Sequence, residues 1–217
     1  MASGQRFDVR PQNDMYKDLT LYAFVSELKF IVATKDKKAL MAVVDSNIKC
    51  SFGGDKGIDD FRRMWMIDAP GSPIWSNLSR LVRAGGTMDA SQQTVCFPYL
   101  FTASIPDSVD LVNVFFVTGG HIDIRQRPDS TSRILGYLGD ELIYRRPDTT
   151  HMPACRNKNH AHYYQAGERQ DWVAVSNFDK TVNGYVYWDY LWSPFDYRMF
   201  VSRRSGQWRI TSLIAGD

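Results

Sequence analysis

The side chains best suited to chemistry crowd into one polar stretch. His151, Cys155, His160 and His162 lie in a short segment that holds three of the four histidines in the chain. Imidazole and thiolate are groups that zinc accepts, and a His-x-His pair can face a single ion. Their spacing follows no established zinc module, so a solvated loop is the plainer expectation and the four stand only as secondary metal candidates. Cys155 with His160 or His162 would also suit acyl transfer by a thiolate–imidazole pair. Cys155 sits in Met152-Pro-Ala-Cys-Arg-Asn157, however, and nothing there marks a nucleophile at a helix start. The expectation leans away from an enzyme.

A second constellation is aromatic. Tyr187, Trp188 and Tyr190 fall within four consecutive positions, so strand alternation cannot bury all three. With Trp172 and Tyr164 they form a candidate surface on which a peptide could stack. Cys50 and Cys96 both fall on expected strands. An oxidising compartment could join them if those strands were neighbours, but two small buried hydrophobes is the simpler reading. Asp55, Asp59 and Asp60 cluster near a helix start, where capping is the ordinary role.

Composition narrows the function classes. A chain of 217 residues can form one large domain or two small ones, with 44% hydrophobic and 23% charged residues. A net charge of +2 with scattered basic residues argues against a nucleic-acid partner. No stretch is long and apolar enough to span a bilayer, since Leu21 to Ala33 is short and carries Glu27 and Lys29. Met1 to Val9 lacks the apolar region of a signal peptide, which leaves a cytoplasmic protein or a mature form whose export signal has been replaced. Three cysteines make no disulfide framework, and no cofactor motif is present.

The elements that position these residues can be read from periodicity. Residues up to about Asn13 are polar and expected to fray. Apolar spacing predicts helices over Tyr16 to Thr34, Asp36 to Val44 and Asp59 to Met66, with a further helix opened by Ser72-Pro73 and closed by Gly85-Gly86. Asp45-Ser-Asn47 should stop the second helix, and Ile48 to Phe52 reads as a strand. Thr94 to Phe101 is strand-like, although Pro98 demotes it to an edge or a bulge. Ile122 and Ile124 alternate with Asp123 and Arg125 in a half-buried strand that Pro128 ends. Further strands are expected over Ile134 to Leu138, Trp172 to Val175 and Gly184 to Leu191. Tyr197 to Asp217 holds two alternating runs that meet at Arg204-Ser205-Gly206, a hairpin signature.

The blocks Ile122-Asp-Ile-Arg-Gln-Arg-Pro128, Ile134-Leu-Gly-Tyr-Leu138, Trp172-Val-Ala-Val175 and Gly184-Tyr-Val-Tyr-Trp-Asp-Tyr-Leu191 together resemble a bacterial SH3-like domain. The match is interrupted by an insertion at about 146–170. Asp36-x-x-Ala39-Leu40 and Gly57-x-x-x-Phe61, with the closing run from Tyr197-Arg198 through Trp208-x-Ile210-Thr211 to Ala215-Gly-Asp217, resemble a SnoaL-like, cystatin-type (NTF2-like) α+β roll. The two likenesses imply an α+β fold: a helix-rich cystatin-like unit over 14–110 and 195–217, and a small SH3-like β-barrel over 112–193. The barrel would be inserted in the roll or appended to it. At whole-chain level, Phe52-Gly-Gly-Asp55 with Trp65 and the terminal Ala215-Gly-Asp217 resemble uncharacterised SH3-containing proteins exported by Gram-negative bacteria. That likeness implies a periplasmic or secreted location.

The resulting expectation is a non-catalytic envelope protein without a cofactor. Its SH3-like barrel would bind a peptide, a peptidoglycan stem peptide or an envelope protein through Tyr187, Trp188, Tyr190, Trp172 and Tyr164. Two alternatives stand beside it. One is a small-ligand or enzymatic site in an apolar pocket of the roll, lined by Cys50, Phe52, Cys96, Tyr99, Trp208 and Ile210. The other is a protein–protein assembly module.

Overall fold

A computed structural model describes residues 9, 13–89, 91, 93–147 and 172–215. The fold is mixed α+β. In chain order the first elements are α1 (Leu19–Thr34), α2 (Lys37–Val43), β1 (Val44–Lys49), α3 (Ile58–Met64), α4 (Ile74–Ala84), β2 (Thr87–Asp89) and β3 (Thr94–Phe97). Seven strands follow: β4 (Val114–Val117), β5 (Ile122–Arg125), β6 (Ile134–Leu138), β7 (Leu142–Arg145), β8 (Trp172–Ser176), β9 (Asn183–Tyr187) and β10 (Leu191–Trp192). The hairpin strands β11 (Arg198–Arg204) and β12 (Gln207–Ile214) come last. The described residues fall into two compact units, one within Pro11–Ala103 and Tyr197–Asp217 and the other within Met1–Arg10 and Ser104–Asp196. No helix among the described residues is long and apolar enough to cross a membrane.

The first unit covers one face of a five-stranded sheet, ordered β1-β12-β11-β3-β2, with helices. Helix α1 begins later than periodicity predicts because Asp18 takes the N-cap, accepting from the amides of Thr20 and Leu21 at 2.8 and 3.1 Å. Thr20 then joins the helix start to the sheet. Its hydroxyl donates to Asp18 and accepts from Arg203 of β11 and from Trp208 Nε1 of β12 at 2.9 Å. Below that knot Leu21, Leu28 and Ile31 meet a core shared with Leu40, Leu78, Met199, Val201 and Ile210.

Several local expectations shift. The strand after α2 is Val44–Lys49 rather than Ile48 to Phe52, and Asp45-Ser-Asn47 lies inside it rather than ending the helix. Parallel pairing with β12, from Val44 opposite Ile210 to Lys49 opposite Ser212, supplies the ladder that overrides the turn preference of those residues. Pro98 stops β3 instead of making it an edge, for β3 sits between β11 and β2. The hairpin forms where expected: Ser205 and Gly206 have φ of 50° and 80°, the positive pair of a type I′ turn.

Cys50 and Cys96 are free and buried. Cys50 follows β1, and two strands separate β1 from β3, a gap of about 14 Å at ordinary strand spacing, so no bridge can join them. Burial pushes the Cys50 thiol from 9.0 up to about 11, with the charges of Asp60 and Asp55 adding to it. Burial likewise pushes the Cys96 thiol up to about 12. The native protein therefore keeps both thiols protonated where the unfolded chain would ionise them. Their contribution to stability is complete below about pH 9 and is lost as pH rises toward 11 and 12. In a Cys155→Ser background, a thiol reagent at pH 8 should modify these two cysteines no faster than the protein unfolds. Rapid modification of either would contradict the burial.

The second unit is one seven-stranded sheet, ordered β10-β4-β7-β8-β9-β5-β6. Every strand sends a side chain into a single cluster: Phe115 and Val117, Ile122 and Ile124, Leu138, Ile143, Val175, Val186 and Leu191. A flat sheet cannot bring its two end strands to one cluster, so this sheet curls around its own core. Strand β5 shows the predicted alternation, with Ile122 and Ile124 buried and Asp123 and Arg125 partly exposed. Strand β6 forms where expected, over Ile134–Leu138, with Ile134, Leu135 and Tyr137 exposed and Leu138 buried. The frayed N-terminus expected from its polarity is contradicted at Val9, which is buried and donates its amide to the Asp140 carbonyl.

Candidate functional site

The aromatic candidates are arranged by the β8–β9 pair. Its antiparallel register sets Trp172 opposite Tyr187, Val173 opposite Val186 and Val175 opposite Gly184. Val175 and Val186 enter the core, with Val173 packed against it. Trp172 and Tyr187 therefore share the outward face, one residue out of phase with the valines. Their rings meet edge to face with centroids 5.5 Å apart. A single 3-10 turn over Trp188–Tyr190 then brings Tyr190 against Tyr187, at 6.4 Å and again edge to face. Trp172 and Tyr187 are half-buried, and Tyr190 is 44% exposed. The three rings make one continuous row.

Trp188 does not belong to it. The side chain is 6% exposed and packs edge to face on Phe115 inside the curled sheet, with centroids 5.7 Å apart. This corrects the expectation that Trp188 offers a stacking surface. The physical reason is alternation itself, which puts residue 188 on the same face as Val186. That signal was present in the sequence. Tyr164 lies outside the described residues, as do His151, Cys155, His160 and His162. Among the described residues, no group of three or more His, Cys, Asp or Glu side chains is placed to hold a metal ion.

Other outward rings escaped sequence reasoning. Tyr144 of β7 stacks on Phe178, centroids 5.5 Å apart, and the Lys180 ammonium sits 4.6 Å over the Tyr144 ring. His121 stacks on Tyr137 of β6 at 3.8 Å. Phe178 and His121 lie in turns, where no periodicity indicates which way a ring points.

Of the residues expected to line an apolar pocket of the roll, Cys50, Cys96, Tyr99, Trp208 and Ile210 are buried. A hollow of about 610 Å³ lies on the sheet face opposite the helices, and of the expected lining Phe52 borders it. Its other walls include Lys49, Arg198, Phe200, Ser202 and Arg204. Alternation along Arg198–Arg204 against buried Met199 and Val201 was the signal that could have revealed this polar face.

Of the acidic cluster, Asp60 accepts from the Lys56 amide at 3.0 Å and from Arg63 at 2.7 Å. The Arg63 hydrogen bond holds its carboxyl below the usual range. Asp55 accepts from the Ser51 hydroxyl at 2.7 Å. Both close the turn ahead of α3, a structural task. No family model matches the chain, and no curated protein or solved structure is significantly similar to it.

Proposed function

We propose that the protein is a non-catalytic binding protein of the cell envelope. Its curled seven-stranded sheet, taken as a bacterial SH3-like unit, recognises a peptide or cell-wall peptide through Trp172, Tyr187 and Tyr190. The five-stranded unit, taken as a SnoaL-like roll, serves as its scaffold. The observation that carries this reading is the row of three partly exposed rings held edge to face on one outward surface. Rings fixed against each other lose little freedom on binding, and their faces and hydroxyls suit an extended peptide. The periplasmic or secreted location rests on the likeness to exported proteins.

The test is co-sedimentation of the full chain with purified peptidoglycan, wild type against Tyr187→Ala/Tyr190→Ala. Loss of two of the three rings should weaken binding about ten-fold or more, with the unfolding midpoint little changed. If the two proteins pellet equally, or if neither pellets, the reading fails. Trp188→Ala is unsuitable for this purpose because it damages the core.

A further inference from the structure

Helix α1 is apolar on both faces, and its own unit covers only one of them. Among its 16 residues Glu27 and Lys29 are the only charged ones. Leu21, Phe24, Val25, Leu28, Ile31 and Val32 are buried. At about 3.6 residues per turn, Leu19, Ala23, Ser26, Phe30 and Ala33 fall on the opposite face, and all of them are exposed. Leu19 is 83% and Phe30 70% exposed. Tyr22 borders this stripe at 47% exposure, and Tyr16, at 69%, lies against it with ring centroids 5.5 Å apart. Glu27 and Lys29 stand on opposite margins. A helix that is apolar all round is ordinarily buried all round.

The hydroxyls of the stripe do not oppose burial. Ser26 donates to the Tyr22 carbonyl at 2.8 Å, and Thr34 donates to the Phe30 carbonyl at 2.8 Å. With about 150–250 Å² on each ring, Tyr16, Leu19, Tyr22 and Phe30 together expose about 500 Å² of apolar surface. That is near the upper end of what a monomer leaves open. A second copy that contributes the same patch doubles the area to about 1,000 Å², which is what a specific interface needs.

We infer that α1 is a dimer interface, on which two copies of the chain pack their α1 helices antiparallel. The midpoint between Leu19 and Phe30 falls between Ala23 and Ser26, small residues that let two helices cross closely. Crossing there lays Leu19 of each copy on Phe30 of the other. Lys29 then shares a margin with Tyr22 of the other copy, where a cation beside a ring is favourable. A parallel pair would bring Lys35, Lys37 and Lys38 of one copy up to the same three of the other. The antiparallel pair keeps these clusters apart by about the length of the helix, ~24 Å. The interface is independent of the aromatic row on the other unit.

The test is sedimentation equilibrium of the full chain from low to high micromolar concentration. Wild type should be a dimer that dissociates on dilution. Phe30→Glu and Leu19→Lys, both at exposed positions, should each weaken association about ten-fold or more, with the circular dichroism spectrum unchanged. The double variant Leu19→Lys/Phe30→Glu sets opposite charges against each other at both contacts and should associate about ten-fold more tightly than either single variant. The inference is overturned if wild type is monomeric at the highest concentration, if either single variant associates as wild type does, or if the double variant associates no better than the single ones. A monomer that sediments with phosphatidylcholine–phosphatidylglycerol vesicles, and stops doing so in Phe30→Glu, would give this face to a lipid surface and equally overturn it.

Discussion

Trp188→Ala should cost the protein about 3–5 kcal/mol of stability, a large part of what a domain possesses. The indole lies in the cluster to which every strand of the seven-stranded sheet contributes, and its edge-to-face contact with Phe115 is lost with it. Truncation leaves a cavity at the centre of a curled sheet whose strands cannot close in without breaking their ladders. The check is urea denaturation beside Tyr190→Ala. The Tyr190 ring is 44% exposed, and its removal should change stability by less than about 1 kcal/mol. If the two variants unfold at the same midpoint, Trp188 is not a core residue and the curled-sheet core described above is wrong.

Gly184→Ala should be nearly as damaging, by about 1–3 kcal/mol, although only one methyl group is added. A Cβ at that position would lie 2.5 Å from the carbonyl oxygen of Arg125 and 2.8 Å from Ile124 Cγ1. The first neighbour is backbone of β5, the strand paired with β9, and it cannot yield without shifting the sheet. Gly184 is thus required for close strand approach and not for unusual torsion angles. Gly139→Ala is the control, since nothing lies within 4 Å of a Cβ there. Equal denaturation midpoints for the two glycine variants would rule out the steric account. Only the packing separates the essential glycine from the permissive one.

Helix α4 shows how much short-range chemistry can settle. Pro73 before it, Gly85 after it, and Trp75, Leu78, Leu81 and Val82 on one face all stand as their spacing implied. The β11–β12 hairpin was equally legible, because a Ser-Gly pair between alternating runs favours one tight turn. Strand β1 was not. Its Asp45-Ser-Asn47 looks like a helix stop, and the parallel partner that makes it a strand, β12, arrives more than a hundred and fifty residues later, at Ile210. The Cys50–Cys96 question was open for the same reason, since neighbourhood in a sheet depends on strand order and not on strand type.

The binding candidates divide in the same manner. Alternation from Val186 already assigns Tyr187 outward and Trp188 inward, so one ring of the aromatic row was contained in local pattern. The 3-10 turn that returns Tyr190 to the outer face interrupts that alternation, and Trp172 meets Tyr187 only through the β8–β9 register. The hollow lay further from view, for Lys49, Thr94 and Arg198 are remote in the chain and border one space only when β1, β3 and β11 join one sheet. By itself the sequence determined where most helices and turns begin and end and which residues alternate, because those depend on capping, backbone torsion and periodicity within a few residues. Which side chains meet, and which faces remain open, was decided by tertiary structure, since strand order and register are set by long-range pairing and burial that no local pattern encodes.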